Sequence, residues 1–117
     1  MQLELAAERL AELGHSTRLA IFRHLVRCGP DGCRVGGLQE TLGIPGSTLS
    51  HHLGRLINVG LVEQQREGRI LYCLPNIDAL NDTIEYLTQE CCAGRHEGDA
   101  ACAPDPALVK TNRSKVR

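Results

Sequence analysis

The amino-acid sequence predicts a mainly α fold, a winged helix-turn-helix domain in which a two-stranded β-hairpin wing follows the helix-turn-helix. Apolar residues recur at helical spacing through the first half of the chain. Two of the helical segments are short and are joined by the glycine-containing linker 44–46, which is typical of a helix-turn-helix. Two extended segments then flank Glu67 and Gly68, a pair that favours a hairpin turn.

Two helices precede the helix-turn-helix. The first covers residues 3–13 and ends at Gly14. The second is predicted to begin with Ser16 or Thr17 as its cap and to end before the turn formed by residues 29–33. The apolar residues predicted to face inward are Leu3, Ala6, Ala7, Leu10 and Leu13 in the first helix, and Leu19, Phe22, Leu25 and Val26 in the second.

The helix-turn-helix itself is predicted over residues 35–59. Its first helix ends at Gly43, and Ser47 is the predicted cap of the second. After the hairpin, a last helix is predicted over residues 77–92, with apolar residues spaced three and four apart as in a coiled-coil seam. The predicted apolar stripes are Leu38 and Leu42, then Leu49, Leu53, Leu56 and Ile57, and finally Ile77, Leu80, Ile84, Leu87 and Cys91.

Composition limits the class of protein. The chain has 117 residues, the size of one domain, and its two Tyr, one Phe and no Trp leave aliphatic side chains to build the core. The formal net charge is −1, so any nucleic-acid contact depends on a local patch. No apolar run approaches the roughly 18 residues of a membrane span, and the first helix does not resemble a secretory signal. We expect a cytoplasmic protein with no membrane partner and with reduced thiols.

The polar face of the second helix of the helix-turn-helix carries side chains suited to DNA. No Asp or Glu occurs in residues 41–60, and hydroxyl, imidazole and guanidinium groups bond phosphates and base edges in a major groove. Arg66 and Arg69 flank the hairpin turn, where they can hold the DNA backbone. The alternative is a solvated helix face with arginines paired to nearby glutamates. The predicted DNA-binding residues are Ser47, Thr48, Ser50, His51, His52, Arg55, Arg66 and Arg69.

The segment STLSHHLGRLINVGLVEQQREGRILYCL resembles the recognition helix and wing of ArsR-type metal-responsive repressors, and HSTRLAIFRHL resembles their second helix. The likeness covers about residues 5–92. It implies a DNA-binding and dimerisation domain over residues 1–92, whose copies bind the half-sites of a double-stranded palindromic operator as a homodimer. Residues 93–117 are expected to form a cysteine-containing loop and a disordered tail. The interface residues implied on the first and last helices are Leu3, Leu10, Ile77, Leu80, Ile84 and Leu87.

Three cysteines near the end of the chain form the predicted ligand site. Cys91 and Cys92 end the last helix, and the small and polar residues 93–101 let Cys102 fold back toward them. Three thiolates without a clear fourth ligand suit arsenite or antimonite, whereas zinc takes four ligands and would add His96. Some arsenic-responsive members of the family carry a similar paired-cysteine site. Two commoner family sites, a Cys-x-Cys pair before the recognition helix and histidine ligands on the last helix, are missing here.

Other roles for the thiols stay open. Sensing of zinc, cadmium or mercury and sensing of thiol oxidation are alternatives on the same scaffold, as is a DNA-binding protein indifferent to metals. An arsenate reductase with Cys33 or Cys92 as nucleophile would need a phosphate-cradling loop, which CRVGGLQE lacks, so we do not expect an enzyme. Cys28 and Cys33 bracket a turn at a spacing that a metal could use, and Cys73 is expected to be a small apolar residue of the wing.

Overall fold

The computed structural model describes residues 1–89, and these confirm the mainly helical winged helix-turn-helix. Residues Met1–Tyr86 form one compact unit, whereas a second unit, Leu87–Arg117, lies almost wholly outside the described residues, as does the predicted boundary after residue 92. The described residues form, in order, α1 (Leu3–Leu13), α2 (Ser16–Cys28), β1 (Cys33–Arg34), α3 (Val35–Leu42), α4 (Gly46–Asn58), β2 (Val62–Glu67), β3 (Ile70–Pro75) and α5 (Ile77–Thr88).

The hydrophobic core lies where α2, α3 and α4 meet the start of the sheet. Of the stripe predicted on α4, Leu49, Leu53 and Leu56 are buried there and Ile57 is partly buried, and each fully buried leucine contributes about 1.5–3 kcal/mol relative to an exposed one. Two helices of the helix-turn-helix are thereby fixed against one core, which leaves the opposite face of α4 exposed. The buried residues of this cluster are Ile21, Phe22, Leu25, Cys33, Leu38, Leu49, Leu53, Leu56, Leu61, Val62, Cys73 and Ala79.

The predicted two-stranded hairpin is confirmed as β2 and β3, and β1 adds a third strand to it that the sequence did not predict. β1 pairs antiparallel with β3, with Cys33 opposite Cys73, so the strand order is β1-β3-β2. A strand of two residues next to a turn is too short to show an alternating pattern, which is why the sequence did not predict it. The wing turn also falls one residue later than expected, because Glu67 pairs with Ile70 and leaves Gly68 (φ 63°) in the turn.

Two helix starts differ from the prediction. Nδ1 of His15 accepts a hydrogen bond of 3.2 Å from the backbone N–H of Thr17, so His15 caps α2 rather than Ser16 or Thr17. Pro45 occupies the cap position of α4, and Ser47 lies in its first turn without a capping hydrogen bond. The predicted end of α3 is confirmed, since Gly43 adopts a left-handed conformation with φ 64°.

The buried face of α2 is rotated from the predicted one. Leu19 and Val26 are 43% and 46% exposed, whereas Ile21 is fully buried. Phe22 and Leu25 are buried as expected. The core packs against the side of α2 that carries Ile21 and Leu25. Leu19 and Val26 lie outside that side and face outward. None of the helices in residues 1–89 has the length and apolarity to cross a membrane.

Candidate nucleic-acid interface

The outward face of α4 carries most of the residues that the sequence predicts to contact DNA. Because Leu49, Leu53 and Leu56 are buried, the side chains opposite them face solvent. Hydroxyl groups follow one another along the first turns of the helix, where they can bond phosphates or base edges. With no carboxylate in residues 41–60, this face presents no negative charge of its own. Its exposed members are Ser47, Thr48, Ser50, His51 and Arg55.

His52 lies apart from this face. Its side chain is buried, with only 8% of the residue exposed, and the His15 ring centroid lies 4.9 Å away. Nη1 of Arg18 lies 3.2 Å from Nδ1 of His52, and because a guanidinium only donates, Nδ1 must accept. Burial lowers the pKa of His52, and the charges of His15 and Arg18 lower it further. His52 thus joins α4 to α2 as a neutral imidazole, which the sequence pattern alone did not indicate.

Arg55 is exposed but already paired. Its Nε donates to Oε1 of Glu12 at 2.8 Å and its Nη2 donates to Oε2 at 3.1 Å. Nε of Arg18 also lies 3.1 Å from Oε1 of Glu12 and donates to the Glu12 carbonyl at 2.8 Å. The hydrogen bond from Arg55 holds the pKa of Glu12 below its usual value, against the effect of burial and with help from the charges of both arginines. One carboxylate of α1 therefore connects α2 and α4.

The wing presents two exposed arginines. Arg66 lies at the end of β2 opposite Leu71, and Arg69 lies in the turn. Arg69 also lines a surface cavity of about 590 Å³ together with Arg34 and Glu40. Arg34 could not be predicted as part of this group, because only the pairing of β1 with β3 brings it near the wing. Positive charge at the wing thus comes from two distant parts of the chain.

Arg9 of α1 connects the end of α4 to α5. Its Nε donates to the carbonyl of Val59 at 2.8 Å, and its Nη1 donates to the carbonyl of Ala79 at 3.3 Å and to Oγ1 of Thr83 at 3.5 Å. Thr83 is buried, and its hydroxyl donates to the Ala79 carbonyl at 2.8 Å. A displacement of α5 would therefore disturb the hydrogen bonds of Arg9. One of these bonds goes to Val59, the residue that follows α4.

Apolar side chains of α1 and α5 are exposed on the single chain. Leu3, Leu10 and Ile77 are 64%, 40% and 40% exposed, whereas Leu80 packs against the core. Ile84 and Leu87 are also exposed. Within the unit Met1–Tyr86, an apolar groove of about 340 Å³ is lined by Leu13, Leu19, Phe22, Arg23, Val26, Arg27 and Leu80.

The cysteines divide into two groups. Cys91, Cys92 and Cys102 lie outside the described residues, as does His96. Within residues 1–89, Cys28 and Cys33 are joined by a disulfide bond, which differs from the expectation that the thiols are reduced. The expectation for the wing cysteine holds, since Cys73 is fully buried and burial raises the pKa of its thiol.

The fold and its exposed helix face define a winged helix-turn-helix DNA-binding protein, and a family model described as a helix-turn-helix domain matches residues 13–65. The chain belongs to the ArsR family of transcriptional regulators. It is 36% identical over 96 residues to the HTH-type transcriptional regulator YgaV of Escherichia coli (strain K12), an alignment that covers 78% of this chain and 94% of YgaV. This family consists of DNA-binding transcription regulators rather than enzymes, as expected for this chain.

Two further comparisons agree with this assignment. ArsR2 of Halobacterium salinarum, named for an assigned role as repressor of an arsenical resistance operon, is 33% identical over 90 residues, covering 75% of this chain and 71% of ArsR2. The structure of the homodimeric winged helix-turn-helix DNA-binding domain of Mb0332 from Mycobacterium bovis superposes with a TM-score of 0.62 at 26% identity, covering 80% of this chain and 88% of that one.

Proposed function

We propose that the chain is a homodimeric transcriptional repressor that binds operator DNA and releases it when arsenite or antimonite binds. The main support for DNA binding is the exposed face of α4, which has no Asp or Glu. This face belongs to the same domain as the wing arginines. A local surface of this kind lets a protein of net charge −1 bind a polyanion. Because the partner is operator DNA, we place the protein in the cytoplasm.

The DNA contacts are assigned by exposure and charge. Ser47, Thr48, Ser50 and His51 enter the major groove and meet phosphates and base edges. Arg66 and Arg69 hold the DNA backbone beside it from the wing. Two residues of the sequence-predicted set receive another role. His52 is buried against Arg18 and Arg55 is paired with Glu12, so we assign both to the orientation of α4.

The dimer is proposed to form through α1 and α5. Apolar side chains of these helices stay exposed on the single chain, with Leu3 at 64% the most open of them on α1. Burying them against a second copy would gain about 25 cal/mol for each Å² of apolar surface removed from water. The homodimeric domain of Mb0332 supports a dimer by analogy. Two copies of α4 would then meet the two half-sites of a palindromic operator.

The inducer is proposed to bind Cys91, Cys92 and Cys102. Three thiolates match the soft, three-coordinate character of arsenite and antimonite, and the role assigned to ArsR2 supports an arsenical. Zinc, with His96 as a fourth ligand beside the three cysteines, is the second candidate, and sensing of oxidation by the same cysteines is the third. All four residues follow the described part of the chain, so the assignment rests on their order and spacing in the sequence.

The signal is proposed to travel from α5 to α4 through α1. A ligand at the end of α5 that moves the helix would alter the contacts of Ala79 and Thr83 with Arg9, and Arg9 holds the carbonyl of Val59 after α4. A coupling free energy of about 1–3 kcal/mol is enough, because it changes operator affinity about 5- to 150-fold. Each contact on this route is a hydrogen bond that a single substitution removes.

Binding of the inducer can be tested directly on the reduced full-length chain. Arsenite is titrated while the arsenic–thiolate absorption is recorded, and Cys102→Ser is compared with Cys28→Ser as a matched control. We expect one arsenite per chain for the wild type and for Cys28→Ser, and at least about tenfold weaker binding for Cys102→Ser. Equal binding by Cys102→Ser, or zinc bound far more tightly than arsenite, would favour the other sensor classes.

A further inference from the structure

The turn that joins α2 to β1 brings a histidine and two cysteines together. His24 and Cys28 lie one helical turn apart on α2, so their side chains share one face of the helix. Cys33 is the first residue of β1, and its Cα lies 5.7 Å from that of Cys28. A ring nitrogen of His24 and the two Sγ atoms all lie within 4.8 Å of one another. The three side chains therefore converge on one point.

The backbone of this turn is set by glycine. Gly29 and Gly32 have φ values of 88° and 83°, and the N–H of Gly32 donates to the carbonyl of Gly29 at 3.2 Å. A Cβ on Gly32 would lie 2.7 Å from the carbonyl oxygen of Cys73, so no larger residue fits. Since β1 is also paired with β3, Cys33 is held beside α2 by contacts other than its bond to Cys28.

The cluster lies at the edge of the core. Cys33 is buried, with 7% of the residue exposed, whereas His24 and Cys28 are half-buried. Cysteines that only fill a core do not need an imidazole beside them or access from solvent. An ion can reach the cluster from the solvent-exposed side of His24 and Cys28. On the opposite side, the buried Cys33 faces the core, which excludes water.

We propose that, in the reduced chain, His24, Cys28 and Cys33 bind a thiophilic divalent cation of the zinc and cadmium class through two thiolates and one imidazole, with solvent at the remaining position. Binding releases the two thiol protons. Oxidation by a peroxide or a small disulfide, which takes up two electrons and two protons, forms the Cys28–Cys33 bond and removes both thiolates. The site therefore accepts a cation only when the disulfide is reduced.

This site goes beyond the proposed function, since it uses none of the three cysteines of the proposed inducer site and we assign it a divalent cation rather than a metalloid. Its position links it to the DNA-binding elements. Cys33 pairs with Cys73 of the wing strand β3, and the next residue, Arg34, is the cap of α3. A cation bound at Cys33 would therefore lie next to both the wing strand and the start of the helix-turn-helix.

The test uses the full-length chain with Cys91, Cys92 and Cys102 all replaced by serine, so that the proposed inducer site is absent. The chain is reduced with a phosphine and titrated with Cd(II), while the thiolate-to-cadmium charge-transfer absorption is recorded. Cys28→Ser and His24→Gln are made on this parent, with His51→Gln as the matched histidine control. Cys28 is chosen over Cys33 because its half-buried position tolerates serine, and far-UV circular dichroism checks each fold.

We expect one Cd(II) per reduced parent chain, with unchanged binding in His51→Gln. Loss of an outer-shell partner alone costs about 10- to 100-fold in metal affinity, so Cys28→Ser should lose more than about 100-fold and His24→Gln at least about tenfold. The oxidised parent, lighter by two hydrogen atoms, should show no cadmium absorption. A reduced parent without the absorption, or Cys28→Ser or His24→Gln that bind as the parent does, would overturn the proposal. Arsenite binding by the wild type is measured separately, so either site can fail alone.

Discussion

Glu12 of α1 holds Arg55 of α4 by two hydrogen bonds of 2.8 Å and 3.1 Å, one to each carboxylate oxygen. The same carboxylate lies 3.1 Å from Nε of Arg18 on α2. A planar guanidinium matches a carboxylate in this two-point contact, which fixes direction as well as distance. The orientation of the helix that we assign to the major groove therefore depends on a residue of the helix that we assign to the dimer.

The arginines should differ in how they respond to salt. Each phosphate neutralised by an arginine adds about 0.9 to the slope of log affinity against log salt. We expect Arg66→Gln and Arg69→Gln each to lower this slope by about one, whereas Arg55→Gln should leave it unchanged because Glu12 already balances that charge. Fluorescence anisotropy of labelled operator at several salt concentrations measures the slopes. An equal loss in Arg55→Gln would mean that Arg55 leaves Glu12 for a phosphate.

The adjacent histidines should separate DNA binding from stability. His51→Ala removes an exposed group, so operator binding should weaken by about 1–3 kcal/mol while the free energy of unfolding changes by no more than about 0.5 kcal/mol. His52→Ala removes the buried partner of Arg18 and should lower the free energy of unfolding by about 1–3 kcal/mol. Urea unfolding and operator anisotropy on both variants check this, and the reverse pattern would show that α4 is rotated from the described orientation.

Acid should destabilise the domain through His52. The folded state holds the pKa of His52 below its usual value of about 6.5, by burial and by the charges of His15, Arg18, His51 and Arg55. As pH falls below about 6.5, the unfolded chain takes up a proton that the folded chain resists, so the free energy of unfolding decreases. Stability to urea should fall between about pH 7.5 and 5.5, much less steeply in His52→Gln and only slightly less steeply in His51→Gln, because the charge of His51 is a minor cause of the lowered pKa. Identical slopes in all three would exclude His52 as the cause.

Much of the fold follows from local patterns, and the exceptions have physical causes. The stripe of Leu49, Leu53 and Leu56 and the glycine at the end of α3 were predictable, because each depends on its own segment. His52 lies beside that stripe, and its burial depends on His15 and Arg18 from other elements.

Contacts between distant segments explain the remaining differences. β1 forms only because β3 supplies a partner far along the chain, so its two residues resembled a turn. The same pairing places Arg34 in the lining of the cavity that Arg69 also lines, and the glycine-rich turn before β1 brings Cys28 to Cys33. Among the DNA-binding residues, side-chain chemistry could be predicted from α4 alone, whereas the pairing of Arg55 needed the position of Glu12.

Dimer formation can be tested on α1. Leu10 is 40% exposed and is assigned to the interface, so Leu10→Glu should shift the chain from dimer to monomer without loss of helix content. Ala11→Glu places the same charge on the next exposed residue and should leave the dimer intact. Sedimentation velocity with circular dichroism distinguishes these results. Dimers that persist in Leu10→Glu would show that another surface of the chain forms the interface.

The route from α5 to α4 can be tested at Arg9. Arg9→Gln removes hydrogen bonds to Val59 and Ala79, so arsenite should reduce operator affinity less in this variant than in the wild type. We expect the coupling free energy to fall by about 0.5–2 kcal/mol, the range found for residues that link two sites. Arg23→Gln, which changes a solvent-exposed arginine of α2, serves as the control. A wild-type response in Arg9→Gln would exclude this route.

The most direct test of the proposed repressor is operator affinity in the presence of arsenite. Labelled DNA from upstream of the protein's own gene is bound under reducing conditions, and arsenite is titrated into complexes of the wild type, Cys102→Ser and Cys28→Ser. We expect arsenite to weaken binding by the wild type and by Cys28→Ser about 5- to 150-fold, and to leave Cys102→Ser bound. Wild-type complexes that survive saturating arsenite, or Cys102→Ser complexes that dissociate like the wild type, would contradict the account.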